Sequence, residues 1–218
     1  MLLSKVPFGA FLAYTPRPEP GNEEQARSKK VCHGIKGDAF WDAETRLIPF
    51  AVQRLRDEHN AELDALFGPD VVLVPAPGSA PIKQRDALWV PRRICQELLA
   101  VGFGARWEPW LVRHTAVQKS AYAAPGQRPS AQEHYDSMRV DRRVTDEESP
   151  AAITLVDDVL TKGATLRAGA SLLAEAFPGA TVRAFALIRT MGTGFQKILD
   201  PVVGEILAGW GNSTHHAP

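Results

Sequence analysis

Cysteine is scarce in this chain. Only Cys32 and Cys95 occur, far apart, with no CxxC pair and no Cys/His ligand spacing. That excludes a disulfide framework and a structural zinc site, and it points to a reducing compartment. Cys32, next to His33, reads as a small buried apolar residue beside a surface histidine. A surplus of one charge is also missing: 25 Lys and Arg balance 25 Asp and Glu. General nucleic-acid binders carry a basic excess, so no such binding is expected. No apolar run is long enough to span a bilayer. The apolar start, MLLSKVPFGAFLAY, is interrupted by Lys5 and Pro7 and has no clear cleavage site, so it is not read as a signal peptide. A cytoplasmic protein without membrane association is expected. Internal repeats and low-complexity segments are absent too.

What is present suits one compact domain, perhaps with a small appendage: 218 residues, 44% of them hydrophobic. Residues 8–14 can form a short strand, followed by the Pro/Gly-rich loop TPRPEPGNEE. Residues 25–36 read as a basic helix or loop. Residues 42–67 read as one long amphipathic helix, capped by Asp42 and stopped by Gly68-Pro69. Strands are expected at 71–74, 107–112 and 153–156, with a last one at 182–188. Helices are expected at 90–100 and from Leu166 to Phe177, where Leu166, Ala170, Leu173 and Phe177 share a face and Pro178-Gly179 ends the element. Residues 113–150 contain no long apolar period, and the tail GNSTHHAP reads as frayed. Short apolar strands alternating with helices predict an α/β fold with a parallel β-sheet flanked by helices. Ligands of such sheets sit outside the carboxyl ends of the strands.

The stretch ITLVDDVLTKGATLRAG places two carboxylates, Asp157 and Asp158, at the end of a buried strand. Carboxylates there are costly unless they meet donors or a cation. The turn that follows, Thr161, Lys162, Gly163, Ala164 and Thr165, opens a helix. Gly163 permits a backbone geometry that other residues resist. The free N–H groups and the dipole of the helix start suit a phosphate, and the Thr161 and Thr165 hydroxyls add donors. One side of this site accepts hydrogen bonds and the other donates to an anion. A sugar phosphate satisfies both.

LVDDVLTKGAT resembles the phosphoribosyl-pyrophosphate (PRPP) signature of type I phosphoribosyltransferases, and within them the ComF-like, amidophosphoribosyltransferase-like branch. The resemblance covers roughly residues 36–190. It implies the type I phosphoribosyltransferase fold, with a small hood and a flexible lid loop. Residues 1–70 would form the hood and helical segment, 71–200 the core, and 201–218 a C-terminal extension and tail. The implied reaction transfers ribose 5-phosphate from PRPP, with Mg²⁺, to an unidentified acceptor, usually nitrogen, and releases pyrophosphate. Asp157 and Asp158 would hold the ribose hydroxyls and, through water, the metal. Residues 161–165 would hold the 5′-phosphate; Lys162 stands where the family often has threonine.

VVLVPAPGSAPIKQRDALW resembles the family's pyrophosphate strand and loop. The loop of Pro77, Gly78, Ser79 and Ala80 would hold the pyrophosphate through its backbone, with Lys83 and Arg85 supplying charge. RDALW stands in place of the family's RGFNQ. Lys36, in HGIKGD, resembles the lysine of the family's LKY segment and would lie near the pyrophosphate. The lid would span residues 115–135 and bring Lys119, Ser120 and Arg128 to the leaving group, with His134 a candidate proton relay. The acceptor would be held by residues 8–14, 39–41 and 190–194. A homodimer or larger complex is compatible with this reading. So are two other uses of the fold: a non-catalytic sensor of PRPP or nucleotide, and an effector of a defence or toxin cassette.

Overall fold

The continuous apolar runs become the centre of a sheet. The computed structural model describes residues 1–82, 87–118, 128–141, 150–192, 194–209 and 214–217. Lys83, Arg85, Lys119 and Ser120 lie outside the described residues. Strand β2 (Val71–Pro75) is buried at every position, and so is the first part of β6 (Ala152–Leu160), from Ile153 to Val156. Both strands are covered on two faces, which is why neither alternates polar with apolar. Around them the order is β3 (Arg106–Trp107), β2, β6, β7 (Thr181–Thr190), β1 (Lys5–Tyr14), β8 (Leu199–Ala208) and β9 (Thr214–Ala217). The five strands from β3 to β1 are parallel, and β8 runs antiparallel to both its neighbours.

The two-residue period of the strands divides the core into two layers. Phe11, Leu73, Val156, Phe185 and Leu187 face α1 (Glu23–Lys36), α2 (Leu47–Glu58) and α4 (Val90–Ala100). Ala10, Val72, Val74, Leu155, Ala184 and Ala186 face α6 (Ala164–Ala176). Alanines on that second face let α6 lie close. A Cβ on Gly169 would meet Leu155 at 2.7 Å and Leu111 at 2.8 Å. Phe185 is fully buried on the first face; truncating such a side chain to Ala typically costs about 3–5 kcal/mol.

Four expectations need correction. Residues 42–67 are not one helix. Asp42 Oδ1 accepts from the N–H groups of Glu44 and Thr45, at 2.9 and 2.7 Å, and so closes a turn instead of capping a helix. Pro49 explains this, because proline is tolerated only in a first helical turn. The helix therefore starts at Leu47, and a separate short α3 (Ala61–Asp64) is capped by Asn60. Residues 107–112 are not one strand: Pro109 separates β3 from β4 (Leu111–Arg113).

The stretch from 113 to 150 contains α5 (Ala131–Asp136) and β5 (Met138–Val140), and β5 pairs antiparallel with β4. Ser130 and Glu133 form a capping box at the start of α5. Tyr135 Oη donates to Glu175 on α6 at 2.6 Å, so this part of the expected lid is packed onto the core. Finally, β7 is followed by β8 and β9, so residues 214–217 of the supposedly frayed tail belong to the sheet. Pro201 sits where the β1–β8 register shifts, a bulge that dispenses with a ladder N–H.

Between β2 and β6 the chain changes direction. From β2 it runs outward to β3, whereas from β6 it runs the other way to β7. The crevice at the carboxyl ends of these two strands is the topological switch point, where open α/β sheets bind ligands. Among the described residues no helix is long and apolar enough to cross a membrane.

Candidate functional site

At the switch point β2 stops before β6 does. Pro75 is the last residue of β2 and lies opposite Val156. Ala76 N–H still donates to Val156 O at 2.8 Å, but the Ala76 carbonyl accepts from Trp89 Nε1 at 2.7 Å and turns away from the ladder. On its other side β6 stays paired with β7 through Leu160. Asp157 and Asp158 therefore lie inside β6, where the sequence suggested its end, and one backbone edge of the strand is open beside them. Asp157 Oδ1 accepts from Asp158 N–H at 2.9 Å, and Asp158 Oδ1 accepts from Val159 N–H at 2.8 Å. These bonds fix both carboxylates and leave one oxygen of each free of them. Burial, followed by the charge of Asp158, holds the Asp157 pKa well above the ordinary carboxylate range, while Lys36 acts weakly in the opposite sense.

The turn after β6 opens α6. Gly163 has φ +87°, the left-handed region, and caps the helix. A Cβ there would strike Ile206 of β8 at 2.6 Å. A side chain at 163 would therefore point at the core. Residues 161 and 163–165 line a small recess together with Asp157 and His134. Lys162 is exposed beside it. At the far edge of the sheet, burial followed by the Arg189 charge lowers the His216 pKa, and the backbone of Thr161 acts in the opposite sense.

Arg113, given no role by sequence reasoning, ties this recess to the loop after β2. Its side chain is only 5% exposed. Nε donates to the Gly78 carbonyl, Nη1 donates to Ser137 Oγ, and Nη2 lies 3.3 Å from His134 Nδ1. A guanidinium only donates, so Nδ1 must accept and the imidazole proton sits on Nε2. Nε2 lies 3.4 Å from Thr165 Oγ1 and donates to it, which frees the threonine proton to point into the recess. Burial, followed by the Arg113 charge, lowers the His134 pKa to about 4, so the ring is neutral near pH 7. Burial lowers Arg113 to about 10, opposed by Asp157, and it stays charged. His134 is thus held between two partners as a positioning residue and is not poised as a proton relay.

The whole cleft encloses about 660 Å³. Of the residues singled out in the sequence, Lys36, Pro77, Gly78, Ser79, Arg128, His134, Asp157, Asp158, Thr161 and Thr165 line it. Gly163 and Ala164 line the recess at its end. Ala80 is exposed and does not line the cleft. Lys83, Arg85 and Lys119 fall outside the described residues. The expected acceptor segments contribute little. Residues 8–14 form a central strand of which only Tyr14 reaches the cleft, and Trp41 lines a separate groove behind α1.

Residues not anticipated are Arg113 and a face of α1: Lys29, Cys32 and His33, which continue to Lys36. The 29/32/33/36 spacing marks one helical face and was the available signal. Burial pushes the Cys32 thiol up to about 11, so it is protonated and is not a nucleophile. Among the described residues no group of three or more His, Cys, Asp or Glu forms a metal cage. No protein-family model matches the chain, and no curated protein matches it by sequence.

Proposed function

We propose that the cleft binds PRPP and that the protein is a phosphoribosyltransferase with the type I fold. One observation carries the reading. Two carboxylates at the sheet's switch point stand beside a helix-opening turn whose threonine hydroxyl is aimed inward. A ribose 5-phosphate needs acceptors for its 2′- and 3′-hydroxyls and donors for its phosphate, a few ångströms apart. Asp157 and Asp158 supply the first. The N–H groups at the start of α6 and the hydroxyls of Thr161 and Thr165 supply the second. The backbone N–H groups of Gly78 and Ser79 would take the pyrophosphate, with Arg128 adding charge. Arg113 fixes this loop through Gly78.

In the reaction the acceptor nitrogen forms a bond to C1′ as the C1′–O bond to pyrophosphate breaks. Pyrophosphate leaves with the bonding electrons, and any proton on the attacking nitrogen goes to solvent. The protein's own part is positioning and electrostatic stabilisation. The donor set fits Mg²⁺ bound chiefly by substrate oxygens. Mg²⁺ typically uses one or two carboxylates plus phosphates, and Asp157, whose pKa is held above the ordinary carboxylate range, gains from a cation. Asp157 and Asp158 would hold the ion through water, where it would offset the leaving group's charge.

RDALW, in place of the family's RGFNQ, favours a second reading, a PRPP sensor without turnover. Pyrophosphate release from Mg–PRPP, measured with a panel of bases and amines, separates the two. Turnover with any acceptor supports the transferase. PRPP binding without turnover across the panel supports the sensor, and absence of PRPP binding removes both.

A further inference from the structure

The cleft has a second charged wall, on the opposite side of the carboxylate pair from the pyrophosphate loop. Sheet order puts β2 on one side of β6 and β1 two strands away on the other. At about 4.8 Å per strand, the end of β1 lies about 10 Å from β6. Tyr14 and Pro16 line the cleft there, and α1 covers them with Lys29, His33 and Lys36. Lys29 is half-buried, and among the described residues neither lysine is in an ion pair. His33 and Lys36 are in the last turn of α1, where they complement the helix dipole. Lys29 sits farther in, so the dipole does not explain it.

Counting fixed charges on the cleft's described lining, Lys29, Lys36, Arg113 and Arg128 outnumber Asp157 and Asp158. Arg113 belongs to the Gly78 side, and Lys29 faces the β1 side.

Displacement at C1′ has the nucleophile enter opposite the leaving group. With pyrophosphate on the β2 side, the acceptor must come from the β1 side, between Tyr14 and the α1 wall. We infer that the acceptor carries an acidic group, a carboxylate or phosphate, received by Lys29 and assisted by His33. This rests on the phosphoribosyltransferase reading and narrows its substrate class to anionic nitrogen compounds.

The test uses the full chain and nucleotide pairs differing at the acidic group: nicotinate against nicotinamide mononucleotide, and orotidine against uridine 5′-monophosphate. Ribose 5-phosphate is the common anchor. Calorimetric titration should show the acidic member of at least one pair binding about tenfold or more tighter than its partner. Lys29→Met with His33→Gln should erase that preference while leaving ribose 5-phosphate affinity within about twofold. Equal affinities within both pairs, or a preference that survives the double substitution, would overturn the inference and leave the phosphoribosyl reading standing. If ribose 5-phosphate itself does not bind, the reading beneath it fails and the inference falls with it.

Discussion

The α6 end of the cleft and its α1 wall are built on different principles. At the α6 end Gly78, Arg113, His134 and Thr165 form one chain of hydrogen bonds, buried in its middle and joining the loop after β2 to β4, α5 and α6. The α1 wall offers Lys29, His33 and Lys36 on one helical face, without ion-pair partners among the described residues. A pre-organised end recognises a group of fixed shape, such as a phosphate, without reorganising when it binds. A wall of long cations on one face recognises charge more than shape, because lysine is a flexible point charge. That division suits a constant sugar phosphate at one end and a selected acceptor at the other.

If the comparison is right, substitutions at the two ends should differ most in their effect on stability. The largest loss is expected for Arg113→Met. It strips the Gly78 carbonyl, Ser137 Oγ and His134 Nδ1 of their donor, and buried groups left unpaired together cost about 4 kcal/mol. Urea denaturation measures this, and a change under 1 kcal/mol (roughly the worth of one ordinary hydrogen bond) would mean the chain is not rigid.

Next comes acid sensitivity. His134 titrates near 4 in the folded protein, against 6.5 for an ordinary histidine. A histidine with a depressed folded pKa contributes its stability above pH 6.5 and loses it as pH falls towards 4, because the unfolded chain takes the proton first. The loss amounts to at most roughly 3 kcal/mol. His134→Gln can still accept from Arg113 and donate to Thr165, and it should flatten this part of the stability curve. Asp157, whose raised pKa acts in the opposite sense, is common to both proteins and drops out of the comparison. An unchanged slope would show that His134 is not held neutral.

Smaller again is Gly163→Ala. Left-handed backbone and contact with Ile206 should cost about 2 kcal/mol, read as a lowered denaturation midpoint. The smallest effect belongs to the α1 wall. Lys29→Met should leave stability within about 0.5 kcal/mol, as for positions outside a core or a bonded network. A loss as large as that at Arg113 would erase the contrast.

How much of this was legible in the sequence depends on the range of the interactions. VVLVP and ITLV announced buried parallel strands because their composition alone reports burial on both faces. The Asp-Asp and Thr-Lys-Gly-Ala-Thr run announced a turn with donors because its chemistry is local. The helix boundary at Leu47 was also written locally, in Pro49, and α5 in the Ser130–Glu133 spacing; both were outweighed by apolar periodicity or its absence. Arg113 was not legible. Its partners lie 35, 24 and 21 residues away along the chain, and the pairing of β4 with β5, which sets Arg113 opposite Met138, brings it beside Ser137 and His134. The 29/32/33/36 stripe was visible as a helical face. That it meets the cleft follows from how α1 seats on β1, which no window of sequence contains.

Calorimetric titration of Mg–PRPP into the unaltered protein and into Asp157→Asn with Asp158→Asn tests the central claim most directly. The unaltered protein should bind one PRPP per cleft. The double variant should remain folded, be no less stable near neutral pH because a costly buried charge is gone, and lose at least about a hundredfold in affinity, or about 2.7 kcal/mol. Equal affinity in both proteins, or no binding to either, would contradict the assignment of this cleft to a phosphoribosyl group.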